Sequence, residues 1–318
     1  MPSGQDLSDR IESVRNVKQI TRAMEMVAAA RLRKAEQRIE ALRPYAEAIR
    51  RMTRRAVAAA QQLPDIPLLQ EHDSIDDVGL LLITGDRGLA GPFNSQIIRA
   101  GENRAKELER EGQTAKWYVV GSRGASSLSF RGRELEETFT GFTDRPAYAD
   151  AHNVAQGMIS AYTDEKIDRA EIFYNGYVSP MKQLVRHELL MPIQEAQFLG
   201  GDEMEEEDEG GESDEEHESG DEGDGEGPDH SRSLWIYEPD PEEILRRLAP
   251  DYVEISVYRA LLESTASEHG ARMTAMRNAS QNADEMLDDL TMQANRQRQA
   301  EITQQIMEVV AGAEATTG

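Results

Sequence analysis

Two glycine-rich turns are the places in this chain where residue type and spacing invite chemistry. Gly85-Asp-Arg-Gly-Leu-Ala-Gly91 follows one apolar run and Gly121-Ser-Arg-Gly124 follows another. Glycines after a strand let backbone amides approach a phosphate, so a nucleotide loop is the reactive reading. Neither turn carries the Lys-Ser/Thr pair of a Walker A loop or the G-x-G-x-x-G spacing of a dinucleotide fingerprint. A tight strand-to-helix turn accounts for both better. The six histidines, at 72, 152, 187, 217, 230 and 269, include no close pair with ligand spacing, and there is no cysteine. Disulfides, thiol switches and cysteine zinc sites are therefore excluded, and no metal site is expected. No Ser/His/Asp, Cys/His or paired-carboxylate arrangement stands out. The sequence offers no active site and asks for no cofactor.

What the sequence does offer is length and helical pattern. With 318 residues and 38% hydrophobic content it can bury a core, yet aromatics are only 5%. That mix favours long helices over one large globule. Between Asp202 and Asp229 stand seventeen Asp and Glu with no Lys or Arg, which leaves −8 of the net −25 for the remainder. A nucleic-acid partner is not expected of so acidic a chain. No apolar run approaches the roughly 20 residues that span a bilayer. The N-terminus, MPSGQDLSDR, lacks the basic and apolar regions of a signal peptide. The expected setting is cytosolic, with membrane association only through partners.

The first 62 residues read as one helix. Leu7, Ile11, Val14, Lys18, Thr21, Glu25, Ala28, Leu32, Ala35, Ile39 and Leu42 recur at alternating spacings of 4 and 3, and eight of these eleven are apolar. Where the stripe turns polar, Val17, Ile20, Met24 and Val27 widen the apolar face beyond what one partner helix needs. Pro44 is expected to bend this helix without ending it. At the other end, Leu262, Ala266, His269, Met273, Met276, Ser280, Ala283, Leu287, Leu290 and Ala294 repeat the pattern. Pro250 is expected to break or kink that second helix. Residues 5–62 and 251–311 then make rods of roughly 90 Å each, paired antiparallel. Residues 1–63 hold thirteen Lys and Arg against seven Asp and Glu. Arg15, Lys18 and Arg22, then Arg31, Lys34 and Arg38, each lie on one face. A solvated face and an acidic partner both explain them.

The chain between the rods alternates strand and helix: strands at 78–84, 116–120 and 170–174, helices at 94–111 and 150–162, and an added edge strand at 183–193. Such alternation implies a mainly parallel sheet covered by helices. The acidic stretch is expected to be a disordered loop, serving either solubility or regulation. The divisions expected are 1–70, an N-terminal coiled-coil helix; 71–200, a central α/β domain; 201–232, the acidic insert; and 233–318, a return segment and C-terminal helix.

Three groups of residues carry a resemblance. They are Arg15-Asn-Val-Lys-Gln-Ile-Thr-Arg-Ala-Met-Glu-Met-Val-Ala-Ala-Ala30, Thr84-Gly-Asp-Arg-Gly-Leu-Ala-Gly-Pro-Phe-Asn94, and Ala266-Ser-Glu-His-Gly-Ala-Arg-Met-Thr-Ala-Met276 with Asn295-Arg-Gln-Arg-Gln-Ala-Glu-Ile-Thr303. With them the chain resembles the F-type ATP synthase γ family over nearly its whole length except the acidic insert. The fold so implied is α/β: a long antiparallel coiled coil of N- and C-terminal helices plus a Rossmann-like α/β domain. The implied function is a rotary shaft without chemistry of its own. Implied partners are the α and β subunits of the catalytic head, the ε subunit and the membrane c-ring, at the cytoplasmic face of a bacterial plasma membrane. By the same likeness Met24 meets the lever region of β, and Arg272, Arg298, Gln299 and Thr303 meet its catch loop. Ile302, Ile306, Val309 and Val310 form an apolar tip in a bearing, and Trp235 and Glu238 meet the c-ring. The basic runs face an acidic helix-turn-helix of β. Where the family often has Cys-Gly-Gly, this chain has Ala90-Gly-Pro92, and its insert lacks the cysteines of the chloroplast redox segment. A nucleotide-binding α/β enzyme lacks its ligand loop here. A static coiled-coil spacer explains the rods but not the motif matches.

Overall fold

The computed structural model describes residues 4–59, 66–193 and 241–317. Helix α1 runs Gly4–Ala59 and, at the other end of the chain, helix α5 runs Pro241–Thr317. Between them lie strands β1 (Asp77–Ile83), β2 (Thr114–Val120), β3 (Leu135–Phe139), β4 (Arg169–Ser179) and β5 (Lys182–Met191). Helices α2 (Phe93–Glu111), α3 (Ser122–Phe130) and α4 (Tyr148–Thr163) connect them.

The sheet order is β3-β2-β1-β4-β5. The first four strands are parallel, and β5 pairs antiparallel with β4 at the edge. β1 is central, so both its faces are covered and it reads as an unbroken apolar run. Because side chains alternate along a strand, Val78, Leu80 and Leu82 pack towards α2 with Ile97, Leu108 and Phe173. Leu81 and Ile83 pack on the opposite face with Met158 and Tyr162 of α4 and Val253, Val257 and Leu261 of α5. α5 thus belongs to two structures at once: its first half is part of the α/β core, and its second half is rod.

The rods are unequal, which corrects the sequence expectation. α1 has 56 residues and α5 has 77, giving about 84 Å and about 115 Å at the helical rise. The difference arises at Pro250, which does not break α5: Leu245, Leu248 and Ala249 before it and Val253, Ile255 and Val257 after it are all buried. That packing outweighs the hydrogen bond which proline removes. Two elements escaped sequence reading. β3, Leu-Glu-Glu-Thr-Phe, is an edge strand with two charges and no apolar run, and α3 is a nine-residue helix with little periodicity.

A buried carboxylate ties the sheet to its outer layer. Glu171 on β4 is 3% exposed and accepts both Nε and Nη2 of Arg104 at 2.9 Å, while His187 Nε2 of β5 lies 2.8 Å away. Burial alone would raise its pKa, but His187 and Arg104 outweigh that and hold it at about 2. Arg104→Met leaves a buried charge half-paired, so urea denaturation at neutral pH is expected to show a loss of about 3 kcal/mol. The folded-state pKa lies below the ordinary 4.5, so the tether stabilises fully above that pH and fades as pH falls towards 2. The gap between wild type and variant is expected to close over the same interval.

Candidate functional site

In an open α/β sheet the crevice for a ligand lies beyond the carboxyl ends of the strands, where the order reverses. Here that point is between β1 and β4, and α5 occupies it. Ser267 donates at 3.0 Å to the carbonyl of Asn175, which lies in β4 just past its pairing with β1, and Thr265 donates to the Thr143 carbonyl at 2.9 Å. A Cβ at Gly85, just past β1, would stand 2.8 Å from Glu268 Oε2. Glycine at 85 therefore lets the helix settle onto the turn.

Glu268 and Arg272, one helical turn apart, form an ion pair that is almost fully enclosed; their side chains are 3% and 9% exposed. Arg272 Nη2 also reaches the Gly88 carbonyl at 3.3 Å. Burial pushes the Glu268 carboxyl above its ordinary pKa, against the pull of Arg272. His269 beside it is held neutral, with its pKa lowered to about 4 by burial and by Arg272. This is a polar joint inside a core, and its partners are all within the chain.

Asp86 is the second part of the joint. Its Oδ1 accepts from the backbone N and Oγ of Ser122, and its Oδ2 from the amides of Gly141 and Thr143 and the Thr143 hydroxyl. Burial would raise its pKa, but these donors keep it low. The anion at the start of α3 is therefore the chain's own carboxylate. The first amides of α3 are all taken within the chain, Ser122 by Asp86, Arg123 by the Gly85 carbonyl and Gly124 by Thr84, which ties the glycine-rich turn to α3. Thr84 completes it, donating to the Val120 carbonyl at 2.7 Å and accepting the Gly124 amide at 3.0 Å. Gly121 closes the approach: its φ is +94°, and a Cβ there would lie 2.2 Å from the Thr84 carbonyl oxygen.

Beyond the joint, α1 and α5 form the antiparallel rod. Leu32, Ala35 and Ala266 are buried together, and the whole α1 stripe from Leu7 to Leu42 is buried or half-buried. Ion pairs Lys18–Asp284 and Glu25–Arg277 (2.8 Å) fix the register. At that register the described start of α1 lies opposite about residue 298, and past it no other described helix accompanies α5.

The residues expected at partner contacts divide accordingly. Arg298, Gln299, Ile302, Thr303, Ile306 and Val309 are exposed on that unaccompanied stretch. Met24 is half-buried, while Val17, Ile20 and Val27 around it are 49%, 59% and 53% exposed. Arg272 lies elsewhere: it is 7% exposed and meets Glu268 and the Gly88 carbonyl inside the joint. The basic runs divide too: Lys18 pairs with Asp284, Arg31 with Asp144, and Arg38 donates to the Pro146 carbonyl at 3.4 Å, leaving Arg15, Arg22 and Lys34 exposed. Trp235, Glu238, the acidic insert and the Val310 side chain lie outside the described residues. Asp86, Thr143 and Glu268 were missed in the sequence. Asp86 and Glu268 are polar residues inside motifs read as turn and core stripe, whereas Thr143 lies in no motif. Among the described residues no helix is long and apolar enough to cross a membrane, and no group of His, Cys, Asp and Glu is placed to hold a metal ion.

A family model described as ATP synthase matches residues 3–316. The ATP synthase gamma chain of Moorella thermoacetica is 40% identical over 310 residues, covering 98% of each chain. That of Streptomyces coelicolor is 42% identical over 311 residues, covering 96% of this chain and 93% of the relative. In fold, the chain is similar to one in the Euglena gracilis mitochondrial ATP synthase, OSCP/F1/c-ring, in rotational state 3. The TM-score is 0.65 at 18% identity, covering 98% of this chain and 94% of the other.

Asp86→Ala is expected to release the loop that Asp86 gathers. Hydrogen exchange at the Ser122, Gly141 and Thr143 amides should accelerate, with a global loss of roughly 2–4 kcal/mol from the removed charge-assisted bonds. Unchanged protection at those three amides would remove Asp86 from the joint.

Proposed function

The chain belongs to the ATP synthase γ family, and from that premise we propose that its rod acts as a cam inside the catalytic head. It is the non-catalytic rotary shaft of the central stalk, a subunit of the proton-transporting ATP synthase. It couples rotation of the membrane ring to ATP synthesis or hydrolysis on other subunits, and it takes part in regulating ATPase activity and proton flow. Its partners are the α and β subunits around the rod, and the ε subunit and c-ring at the α/β end. Attachment to the membrane is peripheral and runs through the c-ring. The membrane face proposed is the cytoplasmic side of a bacterial plasma membrane.

The observation that carries this reading is the far stretch of α5, where Ile302, Ile306 and Val309 are exposed with no partner helix beside them among the described residues. Exposed apolar side chains at helical spacing suit a surrounding sleeve. Ile302, Ile306, Val309 and Val310 would turn in that sleeve, Arg298, Gln299 and Thr303 would engage the catch loop of β, and Met24 would bear on its lever. Arg15, Arg22 and Lys34 remain free for an acidic surface of β. Trp235 and Glu238 would face the loops of the c-ring.

A rod whose exposed apolar and charged side chains are unevenly placed contacts each surrounding β subunit differently. It shifts each between open and closed states only by its differential affinity for them. Turning the rod permutes those affinities, and a forced permutation drives the chemistry elsewhere.

Two substitutions test the contacts. Arg298→Ala with Gln299→Ala removes a charge-assisted contact worth about 1.5–3 kcal/mol, so ATP synthesis in membranes is expected to fall roughly tenfold or more while the chain stays folded. Normal synthesis would sink the catch assignment. Met24→Lys sets a cation against the lever, and the expected result is less proton pumping per ATP with hydrolysis partly retained. A wild-type pumping ratio would show that Met24 bears no lever contact.

A further inference from the structure

The α/β domain reaches α1 as well as α5, and it does so from two sides. β4 pairs with β1 only as far as Phe173, but its pairing with β5 runs on to Ser179. The β4–β5 hairpin therefore extends past the sheet as an arm along the rod. On this arm Tyr177 packs at the seam with Leu32, Ala35 and Ala266, and its hydroxyl donates to Glu36 of α1. Burial, helped by the Glu36 carboxylate, raises the phenol's pKa and keeps that donor protonated. The second arm is the loop after β3. Its Asp144 accepts from Arg31, and its Pro146 carbonyl accepts from Arg38 at 3.4 Å.

At 3.6 residues per turn, Leu32, Ala35 and Ile39 form the inward stripe of α1. Arg31 and Arg38 fall on one flank of that stripe and Glu36 on the other. The same two arms hold α5. The Thr143 carbonyl accepts the Thr265 hydroxyl, and a Cβ at Gly270 would stand 3.1 Å from the Pro180 carbonyl oxygen. Farther along the rod, α1 and α5 are joined by the apolar seam and by Lys18–Asp284 and Glu25–Arg277. Apolar burial is non-directional, so it resists separation of two helices better than rotation of one around the other. In each of those ion pairs one side chain is about half exposed, and such pairs contribute little. Arg31–Asp144 is no stronger as a pair. Its value lies in where it stands, across α1 from Tyr177.

We propose that Tyr177–Glu36 and Arg31–Asp144 form a two-sided clamp that passes torque from the α/β domain into α1, so that both helices turn as one shaft. The four are positioning residues, which act through α1 on the surfaces offered to β. Moving α1 around α5 in either direction draws it away from one arm and against the other, so the clamp serves both senses of rotation. The inference rests on the shaft reading above.

Protons pumped per ATP hydrolysed, measured in membranes carrying the whole complex against a rising opposing proton gradient, test the clamp. Tyr177→Phe removes one hydroxyl, and Arg31→Ala removes the tie on the other flank. Either alone should slip only near the limiting gradient. Together they should leave the ratio normal without a gradient and lower it roughly twofold or more at half the limiting gradient. Arg31→Lys in place of Arg31→Ala should return the pair to the behaviour of Tyr177→Phe alone. A loss of stability would instead lower the amount of assembled complex, or the ratio at every gradient, and that result overturns the proposal. So does a wild-type ratio at every gradient in the double variant. Glu268→Ala is the control: if it too keeps the wild-type ratio, the shaft reading fails, whereas slip in that variant alone removes only the clamp. Should the double variant not assemble, Tyr177→Phe decides, since absence of slip near the limiting gradient overturns the proposal by itself.

Discussion

A carboxylate and a guanidinium buried one turn apart on a helix, Glu268 and Arg272, are the constraint on which the rest of this structure depends. Neither is tolerable in a core alone, because an unpaired buried charge costs several kcal/mol. Together, and with the Gly88 carbonyl as a third partner, they bind the helix to the turn that follows β1. The pair is less a source of stability than of position. It leaves the helix one seat and one rotation against the sheet, and a shaft needs that more than it needs stability.

From this seat the other features follow. A sheet with its strand-end crevice filled by its own helix has no room for a cofactor there, so a fold often used for nucleotide binding becomes a collar. Asp86 gathers the amides of Ser122, Gly141 and Thr143, and Thr84 and Gly121 bring neighbouring strand ends close enough to make the collar stiff. α5 then leaves the collar with its orientation set, and α1 braces it through the buried stripe and two cross-rod ion pairs. The brace ends before the helix does. Rigidity is concentrated where turning force would enter, and exposed apolar and polar side chains are concentrated where it would be delivered.

Much of this was legible in the sequence. The 4-and-3 stripes located both rods and their buried faces, since every position from Leu7 to Leu42 in the stripe is buried or half-buried. The apolar runs located β1, β2 and β4, because buried parallel strands are apolar on both faces. What stayed hidden was of another kind. β3 has no apolar run because it packs at an edge, and Pro250 lies in a continuous helix because flanking packing overrides local preference. Arg272 reads as a surface cation in a heptad, and only the fold reveals Glu268 and Gly88 beside it. Asp86 looks like an ordinary turn residue until the loop at 141–143, more than fifty positions away, folds onto it. Periodicity carries local information, and these contacts are long-range.

The most direct measurement of the central claim is the number of protons pumped per ATP hydrolysed by membranes carrying Glu268→Ala. Glu268 is itself expected at no subunit contact, and its loss leaves Arg272 buried without its carboxylate. The joint should slip under load, so the ratio is expected to fall while ATP hydrolysis continues. A ratio equal to that of the wild type, with the variant chain assembled in normal amount, would contradict the account.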